Sequence, residues 1–239
     1  MILHSLFDVL ALLAAVALYR WGPGADTAPT PWRSHPLYLP AASLGATIGA
    51  YLLGSLNLAL TGVDGLARSI EGALLGAILA VEGLKAATGM RGSTGVRLAA
   101  PLALAIVVGR IGCFLAGLGD WTYGTQTRLP WGYDFGDGVS RHPVQLYESM
   151  TMAAFLLVFL HLFRRGHPLA TRAGFYFFIG VYAGQRFLWE FLKPYGTVLG
   201  PFNLFHLVSL WLIAYAVLFG RRELLVPCTT PATSPPLRA

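Results

Sequence analysis

The sequence has few charged residues for its length. Only 12% of its 239 residues are Asp, Glu, Lys or Arg, whereas 55% are hydrophobic. Soluble domains carry about a quarter charged residues, so this composition does not fit a water-exposed surface. A nucleic-acid-binding protein also needs a basic stripe on a polar surface, which this sequence lacks. The shortage of charge therefore excludes most soluble classes, nucleic-acid binders included.

Cysteine is almost absent as well. Cys113 lies in an apolar stretch and Cys228 in the C-terminal tail, and neither belongs to a CxxC pair. Two such cysteines give neither a disulfide framework nor the spacing of a structural metal site. We interpret Cys113 as a buried packing residue rather than a covalent nucleophile, because apolar surroundings disfavour its thiolate form.

Long apolar stretches, by contrast, are abundant. A membrane helix needs about 20 mostly apolar residues. Seven stretches qualify: 2–20, 37–61, 69–87, 97–118, 143–163, 172–192 and 200–220. The first is interpreted as a retained helix rather than a signal peptide, because no basic residue precedes it and Arg20 follows it. The predicted fold class is therefore all-α, a polytopic membrane protein with about seven transmembrane helices.

The basic residues outside these spans predict the orientation of the chain. With the N-terminus outside, 11 of the 17 Lys and Arg residues fall in cytoplasmic segments and 4, Lys193 among them, in outer segments. Cytoplasmic loops collect Lys and Arg, which favours a periplasmic N-terminus and a cytoplasmic C-terminus. We expect one membrane domain over residues 1–226. The proline-rich residues 227–239 are predicted to be a disordered cytoplasmic tail.

Glycine and aromatic residues predict two further features. The pairs Gly45/Gly49, Gly72/Gly76 and Gly180/Gly184 have the spacing that permits close helix approach. The longest outer segment, about residues 119–142, carries amphipathic aromatic side chains suited to the level of the lipid headgroups: Trp121, Tyr123, Trp131 and Tyr133. We therefore expect an interfacial periplasmic loop region there.

Charged residues interrupt the predicted spans at Glu71, Arg110, Glu148, Arg186 and Glu190. Each costs about 2.5 kcal/mol or more inside a bilayer, so each invites a functional interpretation. One interpretation is that they pair with one another and hold the bundle together. The other is that Arg110 and Arg186 face one cavity, where planar guanidinium groups match the oxygens of a lipid phosphate.

Five motifs occur in a recognisable order along the chain. They are Gly109-Arg110-Ile111-Gly112-Cys113, Tyr123-Gly124, Leu129-Pro130-Trp131-Gly132, Arg141-His142-Pro143-Val144-Gln145-Leu146-Tyr147-Glu148 and Gln185-Arg186-Phe187-Leu188-Trp189-Glu190-Phe191. Together they resemble the prolipoprotein diacylglyceryl transferase family over residues 69–192. The resemblance implies an enzyme of the bacterial inner membrane that uses no metal or organic cofactor. Such an enzyme moves the diacylglyceryl group of phosphatidylglycerol to the lipobox cysteine of a preprolipoprotein signal peptide and releases glycerol phosphate.

The resemblance also implies roles for individual residues. Arg110 and Arg186 are the expected catalytic and phosphate-binding arginines, with Tyr182 and Glu190 supporting Arg186 from the same helical face. The remaining residues expected to bind substrate are Gly124, Arg141, Gln145 and Glu148. His142 is interpreted either as a catalytic base or, preferably, as a residue that holds the loop by hydrogen bonds.

Three positions depart from the family pattern. Glu71 stands where members commonly have a catalytic histidine, Cys113 where an asparagine is common, and His4-Ser5-Leu6-Phe7-Asp8 where a Tyr-Gly element is usual. Glu71 is interpreted as a proton acceptor or, preferably, as the counter-ion of an arginine. The departures motivate two alternatives: a divergent paralogue that uses the same lipid with another acceptor, and a non-catalytic lipid-binding membrane protein.

Overall fold

A computed structural model describes residues 2–22, 35–62 and 65–225 of the chain. Within these ranges the protein is nearly all-helical, and its helices are α1 (Ile2–Trp21), α2 (Tyr38–Leu60), α3 (Ile70–Thr88), α4 (Val96–Ala116), α5 (Val144–Arg164), α6 (Pro168–Thr171), α7 (Gly174–Glu190) and α8 (Leu204–Leu225). Each of the seven predicted spans coincides with one long helix. The all-α prediction is confirmed.

Five of the long helices are long and apolar enough to cross a membrane: α1, α2, α4, α5 and α8. Of the other two, α3 contains three charged residues, and α7 has only 17 residues. The protein is therefore a multi-pass membrane protein. Seven crossings with a periplasmic N-terminus stay a prediction, and the predicted tail lies outside the described residues.

The bundle exposes apolar side chains and buries charged ones. Large aliphatic residues on the outer faces of several helices are more than half exposed, among them Leu12, Leu44, Leu52, Leu157 and Leu218. An apolar surface of this extent is unfavourable in water and suits lipid. The core contains side chains from α2, α3, α4, α5, α7 and α8, and its fully buried members include Met152, Phe178, Ile179 and Leu212.

The predicted interfacial loop has its own secondary structure. A single turn of 3-10 helix (Gly117–Asp120) ends α4, and a short antiparallel hairpin pairs β1 (Tyr133–Asp134) with β2 (Ser140–Arg141). Trp131 Nε1 donates a hydrogen bond of 2.9 Å to the Tyr147 hydroxyl, which ties the hairpin to the start of α5. The loop therefore packs on the ends of the helices that carry the buried charges.

Helices α2 and α3 pack backbone to backbone. A Cβ atom at Gly49 would collide with the carbonyl oxygen of Gly72, and one at Gly76 with the carbonyl oxygen of Gly45. Two of the three glycine pairs therefore form the predicted close approach. The third pair makes no such close approach in the described part of the chain: no atom there lies within 4 Å of a Cβ built at Gly184, and a Cβ at Gly180 would make only an ordinary contact of 3.5 Å with Ala216 Cβ.

Replacing Gly76 by alanine is expected to destabilise the protein by about 1–3 kcal/mol, because the added methyl group forces α2 and α3 apart. Gly83→Ala is the matched control, since Gly83 lies on the same helix and none of the described residues has an atom within 4 Å of its Cβ position. Alanine has a higher helix propensity than glycine, and this stabilising effect is the same in both variants, so it cancels when their stabilities are compared. Thermal unfolding in one detergent measures the difference, and equal midpoints would contradict it.

Candidate functional site

In the described part of the chain, six charged side chains are joined by ion pairs in the interior of the bundle, and we call them the charge cluster. Its cations are Arg110, Arg186 and Lys193, and its carboxylates are Glu71, Glu148 and Glu190. None of the six residues is more than 5% exposed. The formal charges balance, which allows so many ionic groups to be buried together.

Glu148 lies at the centre of the charge cluster. Its Oε2 is 2.5 Å from Arg110 Nε, and its Oε1 is 2.7 Å from Arg186 Nη1 and 2.9 Å from Lys193 Nζ. Three cations from α4, α7 and the segment after α7 therefore converge on one carboxylate. Preorganised cations in a water-poor site form an anion-binding site, which here holds a carboxylate of the protein itself.

Arg186 connects the other two carboxylates to this centre. Its Nη2 is 2.9 Å from Glu190 Oε2, one helical turn further along α7, and its Nε is 3.4 Å from Glu71 Oε2. The guanidinium carbon also lies 4.8 Å from the centre of the Phe205 ring. All three guanidinium nitrogens are thus engaged, so the orientation of the Arg186 side chain is fixed.

Glu71 has the contacts of a counter-ion. The Ser69 hydroxyl accepts a hydrogen bond from Gly72 N and caps α3, which places Glu71 in the first turn of that helix. The Ser209 hydroxyl donates to Glu71 Oε1 at 2.6 Å, while Oε2 faces Arg186. Both oxygens are occupied, which favours the counter-ion interpretation over proton acceptance.

Arg110 is also linked to side chains on α1 through Cys113, which lies on α4 three residues after it. Its Nη1 lies 4.0 Å from Cys113 Sγ, and this sulfur lies 3.8 Å from His4 Nε2. On the other side of the imidazole, His4 Nδ1 is 3.1 Å from Asp8 Oδ2. Cys113 is buried, as predicted. The chain of contacts from Arg110 to Asp8 joins two of the positions that depart from the family pattern.

Gly124 and His142 lie in the segment that joins α4 to α5. Gly124 N donates to the His142 carbonyl at 3.1 Å, and a Cβ at Gly124 would stand 2.5 Å from that oxygen. The His142 backbone N donates to Thr125 O, and its Nδ1 is 3.4 Å from the Tyr147 hydroxyl. These contacts are those of a histidine that holds the loop.

Arg141 lies on the hairpin and away from the charge cluster. Its Nη1 donates to Asp137 Oδ1 at 2.7 Å and to the Val139 carbonyl at 3.0 Å. The guanidinium carbon stands 5.4 Å from the centre of the Tyr123 ring. The hydrogen bond from Arg141 lowers the pKa of Asp137 below its usual range, so the pair stays ionised at neutral pH.

Two buried polar side chains near the charge cluster make no hydrogen bond to the described part of the chain. They are Tyr182, one turn before Arg186, and Gln145, one turn before Glu148. Buried polar groups are normally satisfied. The Tyr182 hydroxyl and the Gln145 amide are therefore suited to a polar ligand.

Lys193 was not among the residues predicted to form the site, because the sequence placed it in a loop after a span and counted it only as an orientation charge. The structure does place Lys193 after α7, but its side chain is buried in the charge cluster. It is buried because Lys193 N bonds to the Glu190 carbonyl in a turn after α7, which brings its side chain to Glu148. The spacing of Arg186, Glu190 and Lys193 as i, i+4 and i+7 was the signal for one shared face.

Asn203 is a second residue of the site that was not predicted from the sequence. Its Nδ2 donates to Glu190 Oε1 at 2.9 Å, and its Oδ1 accepts from His206 N at the start of α8. One side chain therefore caps a helix and fixes a carboxylate of the charge cluster. Nothing in the local sequence distinguishes this asparagine from an ordinary helix cap.

An apolar cavity of about 620 Å³ opens beside the N-terminal end of α5 and the C-terminal end of α7. Its lining residues are Leu129, Trp131, His142, Pro143, Leu146, Tyr147, Met150, Trp189 and Leu192. This volume is within the range of ligand-binding cavities. The cavity therefore places an apolar binding region close to the buried cations.

Comparison with known proteins gives a family for this arrangement. The family model described as "Prolipoprotein diacylglyceryl transferase" matches residues 33–220. A Geobacter sulfurreducens protein named phosphatidylglycerol–prolipoprotein diacylglyceryl transferase is 35% identical over 167 residues, which are 65% of this chain and 62% of that protein. Relatives with the same name from Cupriavidus pinatubonensis and Clostridioides difficile are each 36% identical, covering 48% and 59% of this chain and 41% and 55% of their own length.

The aligned regions thus span less than two thirds of these relatives. No solved structure matches the chain. The family model nevertheless covers well over half of the sequence, including every member of the charge cluster. This protein belongs to the prolipoprotein diacylglyceryl transferase family.

Proposed function

We propose that this protein transfers the diacylglyceryl group of phosphatidylglycerol to the thiol of a lipobox cysteine in a preprolipoprotein signal peptide. The observation that carries the proposal is the convergence of Arg110, Arg186 and Lys193 on one buried carboxylate. The names of the relatives supply the lipid and the class of acceptor. Glycerol phosphate is the expected leaving group.

The proposed transfer reaction requires groups that stabilise developing negative charge. When a sulfur displaces the phosphate at the glycerol carbon, charge develops on the leaving phosphate oxygen. Guanidinium forks match phosphate oxygens, and their effect is strongest where water is excluded. We expect the lipid phosphate to share the donors of Arg110 and Arg186 with Glu148.

The groups around the cations are suited to bind the glycerol head group and an acyl chain of the lipid. The Tyr182 hydroxyl and the Gln145 amide are buried polar groups able to bind the glycerol head group. The lining of the 620 Å³ cavity is almost entirely apolar, so we expect an acyl chain to bind there. With the predicted orientation, this whole region lies at the periplasmic face of the bacterial inner membrane.

The test is a reconstituted reaction. Purified protein in phosphatidylglycerol vesicles is mixed with a lipobox peptide, and mass spectrometry is used to look for a diacylglyceryl thioether. A peptide with serine in place of the lipobox cysteine is the matched control, and the Geobacter sulfurreducens relative is run alongside. We expect an adduct on the cysteine peptide only.

Each other outcome contradicts a defined part of the proposal. Glycerol phosphate release without a peptide adduct would contradict the acceptor and favour the paralogue alternative. Bound phosphatidylglycerol without release of glycerol phosphate, while the relative is active, would contradict catalysis and favour a lipid-binding protein.

A further inference from the structure

The charge cluster has no carboxylate suited to deprotonate an acceptor thiol. Glu148 contacts three cations, Glu71 is held by Arg186 and Ser209, and Glu190 is held by Arg186 and Asn203. The thiolate, rather than the thiol, is the nucleophile, so the proposed transfer needs a proton acceptor near the cations. This inference rests on the proposed function.

The imidazole of His4 contacts the same side chain as Arg110. His4 Nε2 and Arg110 Nη1 contact the same sulfur atom, Cys113 Sγ, at 3.8 and 4.0 Å. The space between imidazole and guanidinium thus already accommodates a sulfur in contact with both groups. An acceptor thiol beside Cys113 would meet the base and the phosphate-binding arginine together.

Asp8 gives this imidazole the orientation of a base. Asp8 Oδ2 is 3.1 Å from His4 Nδ1, at the i, i+4 spacing on α1. A carboxylate at Nδ1 holds the proton there and leaves Nε2 as the proton acceptor. Arg68 Nη2 lies 3.5 Å from the same Asp8 oxygen.

Accessibility separates His4 from Glu71, and position separates it from His142. The His4 side chain is 18% exposed, whereas the Glu71 side chain is fully buried. His142, the other imidazole predicted at the site, is held to Tyr147 and to the loop backbone in the segment that joins α4 to α5. A peptide thiol arriving at α1 and α4 reaches His4 without disrupting the charge cluster.

We propose that His4 is the general base for the acceptor cysteine and that Asp8 positions it. His4 Nε2 takes the proton of the acceptor thiol, and the sulfur electron pair forms the new bond to the glycerol carbon. The bond from that carbon to the phosphate oxygen breaks, and glycerol phosphate leaves with the electron pair. The proton on His4 passes to the departing phosphate oxygen, which restores the neutral imidazole.

Two acceptor peptides test this role. One has the lipobox cysteine, and the other has selenocysteine, whose selenol is ionised at neutral pH without a base. We expect His4→Gln to reduce transfer to the cysteine peptide by about 10²- to 10⁴-fold, the usual contribution of general base catalysis. Transfer to the selenocysteine peptide is expected to stay within about tenfold of the unmodified protein. Asp8→Asn is expected to show the same selectivity to a smaller degree.

His161→Gln is the matched control, because His161 is an exposed histidine near the opposite end of α5 and should change neither rate. Equal losses of His4→Gln on both peptides would overturn the proposal, since a packing role predicts that result. Full activity of His4→Gln on the cysteine peptide would overturn it as well. Absence of product from the unmodified protein would instead overturn the proposed function, so the two failures are distinguishable.

Discussion

Replacing Arg186 by lysine is expected to reduce diacylglyceryl transfer by about 10²- to 10³-fold, the usual cost of removing one donor that stabilises developing negative charge. Lysine keeps the positive charge, so the substitution tests geometry rather than charge. An ammonium group is a point charge without the planar fork of a guanidinium. It cannot present two parallel donors to phosphate oxygens.

The contacts of Arg186 explain why the effect should be large. Its three nitrogens reach Glu71, Glu148 and Glu190, which come from three different helices. One ammonium cannot reproduce these directions. We therefore expect the lysine variant to lose lipid orientation as well as one phosphate donor.

Arg164→Lys is the matched control for this prediction. Arg164 is exposed at the far end of α5, and its replacement should leave the rate unchanged. Thioether formation per unit of folded protein is the measurement, with size-exclusion chromatography reporting the folded fraction. A lysine variant with normal activity would show that a positive charge alone suffices at position 186. It would contradict the prediction that the two parallel donors of a guanidinium group are needed.

The helices could be predicted from the sequence because lipid imposes a simple rule. About 20 apolar residues in a row predict one span, and all seven such stretches coincide with long helices. The span signal weakens at α3, where Glu71, Glu82 and Lys85 lower the hydropathy. These three charged residues lower the hydropathy of α3, and they also indicate that this helix contributes polar groups to the interior of the bundle.

The candidate site could be predicted only in part. The cost of burying Arg110 and Arg186 identifies them from the sequence alone. Their partners cannot be derived in this way, because the choice of Glu148 as the shared carboxylate depends on how α4, α5 and α7 pack. The approach of His4 to Cys113 is a contact between residues 109 positions apart, which no local spacing reveals.

Glu148→Gln is expected to destabilise the protein by about 3–5 kcal/mol, the usual result of removing one partner from a buried ionic network. Glutamine has nearly the shape of glutamate, so packing is preserved and charge is lost. Arg110, Arg186 and Lys193 would then face only Glu71 and Glu190, leaving one buried positive charge uncompensated. Denaturant unfolding in mixed micelles measures the effect, and Glu223→Gln, at the partly exposed end of α8, is the control.

A second substitution separates charge balance from other causes. Adding Lys193→Met to Glu148→Gln leaves two arginines facing two glutamates, so the formal charges of the cluster balance again. If balance governs stability, the double variant is more stable than Glu148→Gln alone, although Lys193→Met by itself destabilises the protein. This coupling is the interaction energy of a double-mutant cycle. A double variant less stable than either single variant would show that the specific contacts of Lys193, rather than the balance of charge, hold the cluster together.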